Sequence, residues 1–72
     1  MTEIEKEKAL KELGQRIKKA RNEMGISQEE LAHRCGFDRT YISLVERGKR
    51  NLSYLNLMRL NKTLGTKVFK WD

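Results

Sequence analysis

The stretch from Gly25 to Asn51, GISQEELAHRCGFDRTYISLVERGKRN, limits what this chain can fold into more than any other segment. It carries the marks of two short helices separated by very little chain. Ser27 can cap a helix, and Glu30 follows at the spacing of a capping box. Leu31, Ala32 and Cys35 then form an apolar stripe, and Gly36 stands where a helix can end in left-handed backbone. Asp38 is an N-cap candidate for the next segment, in which Ile42 and Val45 share one face. Helices this short and this close can turn so tightly only if the second crosses the first at a steep angle. Residues 27–47 therefore read as a helix-turn-helix, an arrangement that offers its second helix to the major groove of DNA.

At these residues the chain resembles a known family. SQEELA, a small residue before Gly36, TYIS and ERGKRN are similar to the Cro/C1-type (XRE family) helix-turn-helix regulators, and the similarity runs from Leu13 to Gly65. DRTYIS together with ERGKRNLS also resembles the small controller proteins of restriction–modification systems, in which a leucine often follows the Arg-Asn pair, as Leu52 does here. The resemblance implies an all-α fold, a compact bundle of four to five helices of the lambda-repressor-like DNA-binding type. It also implies a transcription regulator that binds double-stranded DNA as a homodimer on a roughly palindromic operator and regulates its own gene. An antitoxin of the same fold, which binds a toxin and represses its own operon, is the alternative.

Composition supports a polyanionic partner. The 72 residues suffice for one domain, residues 1–72, with a core near the lower limit of independent stability, and the net charge is +6. The charge is patterned. Acids collect at the front (Glu3, Glu5, Glu7, Glu12), whereas Arg39 to Arg50 holds Arg39, Arg47, Lys49 and Arg50 against Glu46 alone. Cys35 is the only cysteine and His33 the only histidine. No intramolecular disulfide can form, which suits a reducing cytosol, and one Cys with one His cannot hold a structural zinc. Two positions apart on one helix, they point to different faces, so Cys35 reads as core and His33 as solvated. No cofactor, small-molecule ligand or catalytic cluster is expected. Without a long apolar run or a signal-like N-terminus, the expectation is a cytoplasmic protein with no membrane contact.

Leu10, Leu13, Ile17, Ala20 and Met24 recur at three- and four-residue steps, predicting a helix from Glu3 to Met24 that Gly25 ends. Relatives usually start this helix near Leu13, so residues 1–12 are an extension that either continues the helix or frays. A loop from Gly48 to Leu52 leads to Ser53, the N-cap of a further helix reaching Leu64, with Tyr54, Leu57, Met58, Leu60 and Leu64 forming a broad buried face before Gly65. Asn61 departs from the small apolar residue usual there, and Leu55 from the usual polar one. The tail, residues 66–72, has room for a turn or two where the family places a fifth helix. Leu55, Val68, Phe69 and Trp71 are read as a dimer interface, unless Phe69 and Trp71 fold back onto the monomer's own core.

With Ile42 and Val45 inward, helical rotation turns Thr40, Ser43, Leu44 and Arg47 to or near the opposite side. Arg39, in the first turn, can grip guanine O6 and N7 with two hydrogen bonds; otherwise it pairs with phosphate or Asp38. Leu44 suits a thymine methyl group, or else covers the edge of the core. Arg39, Thr40, Ser43 and Leu44 are thus the candidate base contacts. Gln28, Tyr41, Arg47, Lys49, Arg50 and Asn51 are the candidate phosphate contacts, which position without reading sequence. The resemblance adds that Gln28 braces the start of the recognition helix, while Tyr41 can instead pack on the preceding helix. It also implies a structural ion pair between Arg21 and Glu46, with Arg21 as a phosphate ligand the alternative.

Overall fold

The structure, a computed structural model, describes residues 1–65 and residue 68. Among these residues four helices form in order: α1 Glu3–Glu23, α2 Gln28–Cys35, α3 Arg39–Glu46 and α4 Tyr54–Leu64. There is no strand among the described residues. A fifth helix would fall within 66–72, outside the described residues apart from Val68.

Local sequence explains most of the boundaries. The extension continues α1 without a break, because Thr2 and Glu5 close a full capping box. The Thr2 hydroxyl accepts from the Glu5 amide (3.1 Å), and the Thr2 amide donates to Glu5 Oε1 (3.0 Å). Ser27 caps α2 by accepting from the Glu30 amide (3.0 Å). The reciprocal arm predicted from the Ser27–Glu30 spacing is not made; Glu30 Oε2 instead accepts from Arg34 Nε (2.9 Å). Gly36 ends α2 at φ 74°, left-handed backbone that costs glycine little. Asp38 sits at the N-cap of α3, but its carboxylate makes no cap hydrogen bond. Ser53 caps α4 through the Asn56 amide (3.1 Å).

All four helices contribute to one core: Ile17 and Ala20 from α1, Leu31, Ala32 and Cys35 from α2, Ile42 and Val45 from α3, Leu60 and Leu64 from α4. Leu13, Met24, Ile26, Phe37, Tyr41 and Leu52 pack around it. Two readings need correction. Val68, assigned to a dimer interface, is 2% exposed and belongs to this core, where it extends the apolar layer beyond the end of α4. The buried face of α4 is also narrower than its composition suggests. Leu60, Asn61 and Leu64 are buried and Leu57 on the same stripe is half-buried, which leaves Tyr54 and Met58 rotated outward to 61% and 43% exposure. Asn61 is buried, and no buried side-chain nitrogen or oxygen among the described residues lacks a hydrogen-bond partner.

Gly14 has a structural role that periodicity does not indicate. A Cβ there would lie 2.4 Å from the Val45 carbonyl oxygen and 2.6 Å from that of Glu46, so the C-terminal turn of α3 rests directly on the α1 backbone. This crossing fixes where α3 emerges from the domain.

Candidate nucleic-acid interface

The helix α3 turns Ile42 and Val45 into the core and leaves its opposite side open. Arg39 and Thr40 are exposed and Ser43 half-buried, and the three line one open hollow. Leu44 is half-buried without joining the hydrophobic cluster. Arg47 is exposed at the C-cap, its Nε donating to the Ser43 carbonyl at 3.4 Å. The four candidate base contacts and the phosphate candidate Tyr41 thus lie on one short helix, with Arg47 at its C-cap.

An ion pair anchors the far end of that helix. Arg21 Nε donates to Glu46 Oε2 at 2.7 Å and Nη2 to Oε1 at 3.1 Å, a two-pronged geometry, while Nη1 donates to the Ile26 carbonyl at 2.9 Å. Both residues are buried. The hydrogen bonds to Glu46 hold the Arg21 guanidinium above its ordinary pKa; burial opposes that shift and the charge attraction adds to it. Gln28 joins from α2, its Nε2 donating to Glu46 Oε1 at 3.0 Å. Gln28 therefore braces the end of α3, where the resemblance implied its start. The physical reason is that Glu46, caught between α1 and α2, still has a lone pair facing the first turn of α2.

Beyond α3 the chain turns at Gly48, φ 73°, whose missing side chain leaves room for Lys11: a Cβ would lie 2.8 Å from the Lys11 backbone. The N-terminal extension thus supports the loop that carries Lys49, Arg50 and Asn51, all exposed. The spacing of the sequence gave no sign of this contact. Of the two roles considered for Tyr41, the structure shows the packing one. Its ring packs against the core, and its hydroxyl accepts from Asn56 Nδ2 at 3.0 Å, keeping its own proton available to a further acceptor.

On the outer side of α4, Leu55 is 69% exposed. With Met58, Arg59, Asn61 and Lys62 it lines an open, largely apolar groove. Phe69 and Trp71, assigned with Leu55 to a dimer interface, lie outside the described residues. Among the described residues no group of His, Cys, Asp or Glu side chains is placed to hold a metal ion, and no helix is long and apolar enough to cross a membrane.

Comparison with known proteins agrees with this geometry. A helix-turn-helix family profile matches residues 17–71. The chain is 45% identical over 53 residues to control protein C.BamHI of Bacillus amyloliquefaciens, covering 72% of this chain and 65% of that one. It therefore spans just under two thirds of that relative's length. Control protein C.MunI of a Mycoplasma species is also 45% identical over 53 residues, covering 72% of each chain. The crystal structure of the restriction-modification controller protein C.AhdI from Aeromonas hydrophila superposes with a TM-score of 0.76 at 45% identity, over 78% of this chain and 85% of that one. The chain belongs to the Cro/C1-type (XRE) helix-turn-helix family of transcription regulators.

Proposed function

We propose that this protein is a sequence-specific regulator that binds double-stranded DNA as a homodimer on a roughly palindromic operator, its own promoter included, in the manner of a restriction–modification controller. The observation that carries the reading is α3 itself. It is locked at one end by the Arg21–Glu46–Gln28 knot, its open side bears Arg39, Thr40 and Ser43, and a basic loop follows directly. Arg39, Thr40, Ser43 and Leu44 then meet base edges, and Gln28, Tyr41, Arg47, Lys49, Arg50 and Asn51 meet phosphates. The second copy covers the outer face of α4 around Leu55 and Met58, where a lone small domain would expose an apolar patch. Two-fold symmetry sets the recognition helices about 34 Å apart, one turn of DNA.

Selection of bound sites from random duplex DNA, followed by footprinting, tests the proposal. Two half-sites one turn apart are expected, with affinity falling steeply as salt rises because bound phosphates release counterions. In the selected site, Arg39→Ala loses about 1–3 kcal/mol for one preferred base per half-site, whereas Lys49→Ala weakens all sequences alike. A flat salt dependence, or no enriched site, refutes the reading. The paired substitution Leu55→Glu and Met58→Glu is expected to leave a folded monomer in sedimentation; an intact dimer would move the interface elsewhere.

A further inference from the structure

The side chains between the α4 groove and the basic loop form a stack that spans four segments of the chain. At one end the Arg59 guanidinium lies 4.4 Å from the centroid of the Phe37 ring. The same guanidinium donates to the Cys35 carbonyl at the end of α2, and it occupies the space a side chain on Gly36 would need. Phe37, in the turn between α2 and α3, meets Tyr41 of α3 at 4.8 Å between centroids, tilted by 46°. At the other end the Arg50 guanidinium lies 5.5 Å from the Tyr41 centroid. Asn56 of α4 fixes the Tyr41 hydroxyl from the side. Both rings are half-buried against the core, and both arginines reach solvent.

We propose that Arg59, Phe37, Tyr41 and Arg50 act as one column that positions a phosphate clamp, made of the Tyr41 hydroxyl and the Arg50 guanidinium. Arg59 and Phe37 are then positioning residues for DNA binding without touching DNA. The inference rests on the reading of Arg50 and Tyr41 as phosphate contacts and extends it to residues that this reading leaves out. Each interface in the column is favourable for its own reason. A cation is drawn to the electron-rich face of a ring, and tilted rings avoid face-to-face repulsion. Together they orient the Tyr41 ring, and with it both groups of the clamp. An arginine held over a ring before binding also has less freedom to lose when it meets a phosphate. The column starts at the groove that a second copy is proposed to cover, since Arg59 lines that groove. Packing there and grip at the loop therefore share one set of side chains.

A double-mutant cycle with Arg59→Ala and Arg50→Ala, measured on the selected duplex across salt concentrations, tests the column. Arg50→Ala is expected to lower the salt slope by about one phosphate per subunit. Arg59→Ala is expected to cost about two- to fivefold per subunit, hence roughly four- to twenty-five-fold in a dimer, and to cost nothing further when Arg50 is already alanine. Arg59→Lys, which keeps the charge but loses the flat guanidinium, recovers part of the loss. If Arg59→Ala does not fold, Phe37→Leu replaces it in the same cycle. A second readout needs no DNA. The Arg50 side-chain proton shifts, displaced by the Tyr41 ring, move toward random-coil values in either variant if the column is real. Additive losses, or unchanged Arg50 shifts, overturn the column while leaving the DNA reading intact. Failure of the unmutated protein to bind any duplex overturns both, even if the shifts respond.

Discussion

Replacing Gly14 with alanine sets two ordinary effects against each other, and the geometry decides the sign. In the middle of a helix the change normally stabilises by about 0.5–1 kcal/mol, because glycine loses more backbone freedom on folding. Here the added methyl would lie 2.4 Å from the Val45 oxygen, 2.6 Å from the Glu46 oxygen and 2.8 Å from the Glu46 carbonyl carbon. All three are backbone atoms, so no side-chain rotation relieves the clash, and α3 has to move away from α1. Overpacking against backbone this close falls in the upper part of the usual range, about 2–3 kcal/mol, which leaves a net destabilisation of roughly 1–2.5 kcal/mol. For a domain of this size that lowers the melting temperature by about 4–8 °C per kcal/mol. Urea melts followed by circular dichroism measure it, with exposed Gln15→Ala as a control expected to change little. Operator affinity is expected to fall further than stability alone explains, since the displaced helix is the one proposed to enter the groove. A midpoint equal to or above that of the unmutated protein would refute the close-approach argument.

Three further outcomes follow from other parts of the molecule. Glu46→Ala leaves the buried Arg21 unpaired and is expected to cost about 3–5 kcal/mol, a large share of a small domain's stability, whereas Arg21→Met with Glu46→Leu costs less than the two single changes summed; denaturant melts of all variants check this. The Glu5 carboxyl, held below its ordinary pKa of 4.5 chiefly by the backbone and then the side chain of Thr2, contributes its cap above that value and loses it as the pH falls through the lowered one. Amide exchange at the start of α1 should rise with acidification there, while the core amides stay protected. Cys35, 5% exposed with its thiol donating to the Thr63 hydroxyl at 3.3 Å, is expected to react with a thiol reagent only as fast as the protein opens; rapid stoichiometric reaction of the native protein would contradict its burial.

Features that depend on nearest neighbours along the chain were readable in the sequence. The helix boundaries at Ser27, Gly36 and Ser53 follow from capping and turn chemistry, and Ile17, Leu31, Ile42 and Leu60 follow from periodicity. The capping box of Thr2 and Glu5 is equally local, and it decides that residues 1–12 continue α1. What stayed hidden depends on which atoms meet across the fold. Nothing in the local pattern says that Gly14 lies against the α3 carbonyls, that Gly48 rests on Lys11, or that Gln28 reaches Glu46. Periodicity likewise does not tell the core stripe of α4 from its neighbour, which carries the exposed Tyr54 and Met58. Val68 was misplaced because a lone valine after a helix-ending glycine has no period to follow. For the candidate site, helical rotation of α3 indicates which side chains face away from the core, and the resemblance suggests the remaining candidates, but neither indicates that Gln28 and Lys11 brace the helix and the loop after it.

The burial of Glu46 has a kinetic consequence. Between Arg39 and Asn51 it is the only carboxylate, and in the fold it is matched at 2.7 Å by Arg21. Seen from several ångströms away, such a pair is a small dipole whose field dies off much faster than that of a charge. An approaching duplex therefore meets Arg39, Arg47, Lys49 and Arg50 with no opposing charge from their own segment. Attraction of this kind speeds diffusional encounter and weakens as salt shortens its range, to about 10 Å at 0.1 M. The side chain that ties α3 to the domain thus also clears the approach to it, so freeing Glu46 from Arg21 would slow association with DNA even in a protein that remained folded.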